Sequence, residues 1–171
     1  LLIVALMVGL AAGVYFEVNR YVAEVYFGKA VTASSKGDGE AIINNLNRAI
    51  DFWKYDERYF QNLAQATFFK LNGLLANKNI SQEVLRAELQ NITTNSIAFA
   101  KKAGELNPQN PLNSVLLGGI YENLSPITGG ASDFALYSYN KAVSLDPKNP
   151  ANYLSLGRVY IARADLLAQG H

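Results

Sequence analysis

The chain opens on an uncharged apolar run, Leu-Leu-Ile-Val-Ala-Leu-Met-Val-Gly-Leu-Ala-Ala-Gly-Val-Tyr-Phe, over residues 1–16. As a helix, at 1.5 Å per residue, it spans about 24 Å, against the roughly 20 residues that cross a bilayer. It starts mid-hydrophobe and shows neither a basic leader nor a small-residue cleavage site, so it is expected to be a membrane-type helix or the tail of one. Tyr15 and Phe16, followed by Glu17, Asn19 and Arg20, form the interfacial end of such a helix. The apolar pattern then continues through Tyr21, Val22, Val25, Tyr26 and Phe27, with no Gly or Pro before Gly28. One unbroken helix is expected to Ser35, with Gly37-Asp38-Gly39 as its turn. Beyond it, the apolar spacing predicts helices over 40–52, 57–75, 81–106, 112–124, 134–145 and 151–168. A loop is expected at 77–80, and the Ser-Pro-Ile-Thr-Gly-Gly stretch over 125–130 lengthens another turn.

The same pattern recurs along the chain. AFAKKAGELNPQNPLNSVLLGGIY (98–121) aligns with LYSYNKAVSLDPKNPANYLSLGRVY (136–160) so that Ala103 matches Ala142, Pro108 matches Pro147 and Pro111 matches Pro150. Leu117-Gly118 then falls on Leu156-Gly157, and Tyr121 on Tyr160. A weaker copy, LNRAIDFWKYDERYFQNLAQAT (46–67), puts Ala49 on the Ala position and Leu63-Ala64 on Leu-Gly. A proline stops one helix at each junction, and a proline in the first turn starts the next. Small residues fit where two helices cross closely, so Gly157 is expected at such a crossing.

These offsets resemble the tetratricopeptide family, whose unit of roughly 34 residues carries an aromatic, a Leu-Gly pair, a Tyr, two Ala and a Pro. Tyr153, Leu156, Gly157 and Tyr160 match its first helix; Ala135, Tyr139, Ala142 and Pro147 match its second. The resemblance implies an all-α, helix-turn-helix solenoid preceded by the apolar helix. Its segments are an apolar helix at 1–16, a leading helix and degenerate first repeat at 17–56, an extended repeat at 57–110, a repeat with a loop insertion at 111–149, and a half repeat at 150–171. A second resemblance rests on the apolar helix running into YVAEVYFGKAVTAS and on the phrase RYFQNLAQATF. Together they look like the membrane helix and tetratricopeptide tail of bacterial O-antigen ligase or polymerase proteins. That likeness implies a bacterial envelope setting and carries over no active-site residue.

Charge and composition narrow the function. Fifteen basic and fourteen acidic residues lie interspersed, without the basic stripe that follows a phosphate backbone, so nucleic acid is not an expected partner. There is no cysteine for disulfide or thiol chemistry. The one histidine is the terminal His171, and Gly129-Gly130 lacks the Lys-Ser/Thr of a phosphate loop. No catalytic residue, metal ligand or cofactor is expected. Asn79, Asn91 and Asn123 open Asn-x-Ser/Thr triplets, which also arise by chance.

Protein surfaces are the expected partners, including a second copy of the chain, with the membrane engaged through the N-terminal helix. In tetratricopeptide arrays the first helices line a concave groove. By register its candidates here are Gln61, Asn62, Gln65, Phe68, Glu122, Asn123, Leu154, Arg158 and Ile161. One arginine does not make the family's clamp for a C-terminal carboxylate. Gly9 and Gly13 form a Gly-x-x-x-Gly pair that admits a second helix. The last helix is apolar for a terminal cap, with Leu154, Val159, Ile161, Leu166 and Leu167. Leu154 and Ile161, seven apart, are expected to form an outward stripe for assembly. The expected function is therefore a non-enzymatic interaction and self-assembly module, forming a filament or tube at the cell envelope or outside the cell. The alternative is a membrane-anchored adaptor.

Overall fold

The computed structural model describes residues 2–76 and 80–168. Most of the loop expected at 77–80 lies outside the described residues, as do His171 and the side chains of Leu166 and Leu167. The described residues form seven helices: α1 (Leu2–Ser35), α2 (Gly39–Phe52), α3 (Glu57–Ala76), α4 (Gln82–Leu106), α5 (Pro111–Leu124), α6 (Ala131–Leu145) and α7 (Pro150–Ala168). Each boundary read from the sequence holds to within one residue except the start of α6, which comes three residues early. Gly130 adopts a left-handed φ of 77° there, a conformation that glycine takes without strain. This lets Ala131 enter the helix and bury its methyl beside Leu124 and Ile120.

The starts and stops follow local chemistry. The side chains of Asp38, Ser81 and Asn110 accept hydrogen bonds from Ala41, Val84 and Leu112, and Asn149 accepts from Ala151 at 3.0 Å. Each satisfies a backbone donor that has no partner in the first helical turn. At the other ends the N–H groups of Trp53, Asn107 and Asp146 donate to the carbonyls of Ala49, Ala103 and Ala142. Those three alanines, aligned in the repeat, are fully buried where consecutive helices meet.

The helices pack as the hairpins α1·α2, α3·α4 and α5·α6, each joined to the next by contact of successive helices, with α7 against α6. Buried asparagines latch the later junctions. The Asn113 amide donates to Ala103 O at 3.1 Å and Asn107 O at 2.9 Å. Asn152 repeats this toward Ala142 O at 3.3 Å and Asp146 O at 3.2 Å. At the corresponding place in α3 stands Tyr59, fully buried with Ala23 and Ala49. The first junction is thus packed with an aromatic ring where the later two are hydrogen-bonded.

One expected crossing is corrected. A Cβ built on Gly157 would meet no described atom within 4 Å, whereas one built on the aligned Gly118 would stand 2.8 Å from Tyr139 Cε1. The close approach occurs where a second helix covers the first; α6 covers α5, and no described helix covers α7 on that side. In α1 the two halves differ as sharply. Residues 2–18 are exposed on every side, while Ala23, Ala30 and Ala33 are buried.

Candidate functional site

The first helices of the hairpins bring their side chains to one continuous trough. Between α3 and α5 lies a cleft of about 310 Å³, lined by Gln65, Phe68, Phe69, Asn72, Val115, Leu116, Gly119, Ile120 and Asn123. A second, of about 590 Å³, lies between the end of α1, the start of α2 and α3, lined by residues including Phe27, Val31, Ser34, Ile42, Asn62, Gln65 and Phe69. Gln65 and Phe69 belong to both. Phe69 stands between the two clefts with 73% of its surface exposed. Neither lining contains a charged residue. The trough therefore offers apolar contact and amide hydrogen bonds, chemistry suited to an uncharged stretch of polypeptide.

The residues singled out by register divide between this trough and the joints around it. Gln65 is exposed in the trough, and Asn62 lines it while donating to Arg58 O at 2.8 Å. Asn123 lines the smaller cleft and donates to Gly119 O at 2.7 Å. Phe68 packs partly into the core and partly into that cleft. Gln61 donates to Asn113 Oδ1 at 2.6 Å, joining α3 to α5. Glu122 and Arg158 face each other: Arg158 Nε donates to Oε1 at 2.9 Å and Nη2 to Oε2 at 3.0 Å. Leu154 and Ile161 flank Arg158 along α7 and are 66% and 65% exposed. Gly9 and Gly13 lie on the exposed half of α1, in a shallow groove with Leu6, Leu10, Val14 and Val18. Phe69 was missed by the sequence reading, although its alignment with Asn123 would have placed it on the same stripe.

Solved structures with the same helical path come from separate sources. The Arabidopsis OM64 TPR domain superposes with a TM-score of 0.64 at 17% identity, over 84% of this chain and 98% of that one. The first TPR of Spaghetti (RPAP3), bound to the HSP90 peptide SRMEEVD, gives 0.65 at 17% identity, over 85% and 95%. The crystal structure of MamA gives 0.63 at 19% identity, over 83% and 68%. The fold is a tetratricopeptide-repeat solenoid. No family model matches the sequence, and no curated protein matches it significantly.

Within the tetratricopeptide array a polar joint occurs twice. At the far end Glu122 of α5 accepts from Arg158 of α7 and, at 2.6 Å, from the Tyr139 hydroxyl of α6. At the near end Glu24 of α1 accepts from Arg58 and, at 3.0 Å, from the Tyr59 hydroxyl, both on α3. In each case a glutamate on one first helix is tied to an arginine on the next. Burial works against the charge on Glu122, but the hydrogen bonds from Arg158 and Tyr139 outweigh it and hold its pKa below the ordinary carboxylate value. Asp56 is lowered in the same way, burial being outweighed by hydrogen bonds from Arg58. Burial and the glutamate partner push both tyrosine hydroxyls well above their usual range. These groups tie α1 to α3 and α5 to α7, first helix to first helix.

Proposed function

We propose that this chain is a membrane-anchored tetratricopeptide module that holds a partner polypeptide along the uncharged trough and catalyses no reaction. The observation that carries this reading is the division of α1, one continuous helix. Its first half is apolar and exposed all round, while its second half is built into the first hairpin through Ala23, Ala30 and Ala33. A helix apolar around its whole circumference is matched to lipid or to a fully enclosing protein surface. Its rigid continuation would hold the solenoid at a fixed distance from the bilayer. The likeness to the tail of O-antigen ligase-class proteins supports a bacterial envelope setting. The test is co-flotation with phosphatidylcholine vesicles: the full chain should float, and the chain without residues 2–16 should stay in solution with its helical circular dichroism intact. Flotation of the shortened chain, or loss of its helicity, would defeat the reading.

A second reading, self-assembly into a filament or tube, is favoured by Leu154 and Ile161, two large apolar side chains left exposed on one stripe of α7. Replacing both by Glu should then abolish polymers seen by sedimentation and electron microscopy of the full chain. A strictly monomeric wild type would rule this reading out.

A further inference from the structure

Three aligned turns lead from one repeat into the next, and one of them differs in kind. The turn from α4 to α5 reads Asn107-Pro108-Gln109-Asn110 and that from α6 to α7 reads Asp146-Pro147-Lys148-Asn149, polar residues around a proline. In the same register the turn from α2 to α3 reads Trp53-Lys54-Tyr55-Asp56 and holds the only tryptophan of the chain. All three close alike, since the N–H groups of Trp53, Asn107 and Asp146 each donate to the carbonyl of a buried alanine. The aromatic rings are therefore not required to make the turn. Trp53 packs only partly against the first hairpin, and Tyr55, edge-on to it with ring centroids 5.1 Å apart, is 60% exposed. The turn has a defined level along α1. Ala30 shares a core cluster with Leu46, Ala23 shares one with Ala49, and beyond them the Trp53 ring meets Phe16 edge-on at 6.4 Å. It thus stands beside the end of the half of α1 that is apolar and exposed all round.

We propose that this turn is a second membrane contact, with Trp53 and Tyr55 docked in the headgroup layer of the bilayer that holds residues 2–16. The proposal rests on the membrane-anchored reading above and adds the orientation of the array. Trp and Tyr favour the headgroup layer because it satisfies an apolar ring and a polar tip together, and a lysine lays its stem on apolar surface while its charge stays in water. Lys54, whose Nζ lies 5.7 Å from the Tyr55 ring centroid, is placed to do so at the lipid phosphates. Lipid is the occupant because the turn continues, at the same level, the aromatic end of the apolar helix formed by Tyr15 and Phe16. A single spanning helix leaves its tilt and its rotation about its own axis to be set by other contacts. A contact off that axis, on a turn packed against the helix, fixes both and holds this edge of the first repeat to the membrane.

As the only tryptophan, Trp53 reports on the turn directly. The full chain is reconstituted in phosphatidylcholine vesicles doped with lipid brominated either near the headgroup end or near the methyl end of its acyl chains, and tryptophan quenching is measured in each. Quenching by the shallow bromines should exceed quenching by the deep ones. Tyr55→Asp should reduce the shallow quenching by at least about half, because a carboxylate draws the turn toward water, while Tyr55→Phe, which keeps the ring, should retain it. The aligned Gln109 and Lys148 show that this position accepts polar side chains without loss of the turn. Since Trp53 already touches Phe16, quenching unchanged in Tyr55→Asp would come through α1 alone and would overturn the proposal. Equal loss in both variants would mark a packing effect and overturn it too. A chain that floats with the vesicles but whose Trp53 is quenched by neither lipid, or more by the deep one, would leave the anchor standing and sink this contact. Failure of the full chain to float would instead defeat the membrane reading itself, and the contact with it.

Discussion

The same substitution at two aligned glycines should shift stability in opposite directions. In Gly118→Ala the new methyl must stand 2.8 Å from Tyr139 Cε1 and 3.1 Å from Cγ, so the whole ring has to give way, not a flexible tip. To reach the 3.4 Å at which ordinary contact begins, the ring must retreat by about 0.6 Å. It is 2% exposed and its hydroxyl is bonded to Glu122 at 2.6 Å, so the retreat disturbs both the core and a polar joint. Overpacking of this kind costs about 1–3 kcal/mol, offset by about 1 kcal/mol from replacing a helical glycine with alanine. A net destabilisation of about 1 kcal/mol is expected. In Gly157→Ala no described atom opposes the methyl, so the propensity gain of up to about 1 kcal/mol should appear alone. Because propensity cancels between the two variants, their difference isolates the crossing. Thermal melts followed by circular dichroism should separate them by about 2–4 °C for each kcal/mol. Equal shifts, or a lower midpoint for Gly157→Ala, would refute the assignment of the crossing to α5 and α6.

Further outcomes follow from the joints. Asn113→Ala should destabilise the chain by about 1–3 kcal/mol for each buried group left unpaired, more than Asn152→Ala in parallel denaturant titrations. Asn113 bonds Gln61 as well as two carbonyls, while Asn152 bonds two carbonyls at the edge of the array. The folded pKa of Glu122 lies below its ordinary value of 4.5. Its contribution to stability is therefore full above that value and is lost as pH falls through the folded pKa. Glu122→Gln should flatten that part of the acid limb in melts from pH 6 to about 3, and an unchanged acid limb would contradict the pairing with Arg158 and Tyr139.

Most of the fold was legible because its punctuation is chemical. Asn-Pro starts, Pro stops and buried alanines recur in register, and each has one dominant physical solution. What the sequence concealed depends on a neighbouring helix. Gly118 and Gly157 sit in matching sequence contexts, so nothing local distinguishes the glycine under a tyrosine ring from the one facing solvent. Likewise Glu122 and Arg158 were readable as groove residues by register, but their mutual bond spans two first helices separated by α6. Phe69 stayed hidden because a phenylalanine at helical spacing is more often core. Only the course of α1 and α5 to either side shows it standing clear. The early start of α6 turned on the left-handed Gly130, which the Gly-Gly pair suggested without saying which residue would close the turn.

The account rests most heavily on α1 being one helix that passes from lipid into a packed repeat. The chain contains no cysteine, so single cysteines can be placed along 2–35 and spin-labelled in the full chain reconstituted in vesicles. Oxygen and nickel accessibility would then be measured at each site. The account predicts high oxygen and low nickel access without periodicity over 2–16. Beyond Arg20 it predicts a crossover to water and a helical period, with the least accessible sites at Ala23, Ala30 and Ala33. Nickel access as high over 2–16 as at Lys29, or a helical period running through the first half, would contradict it.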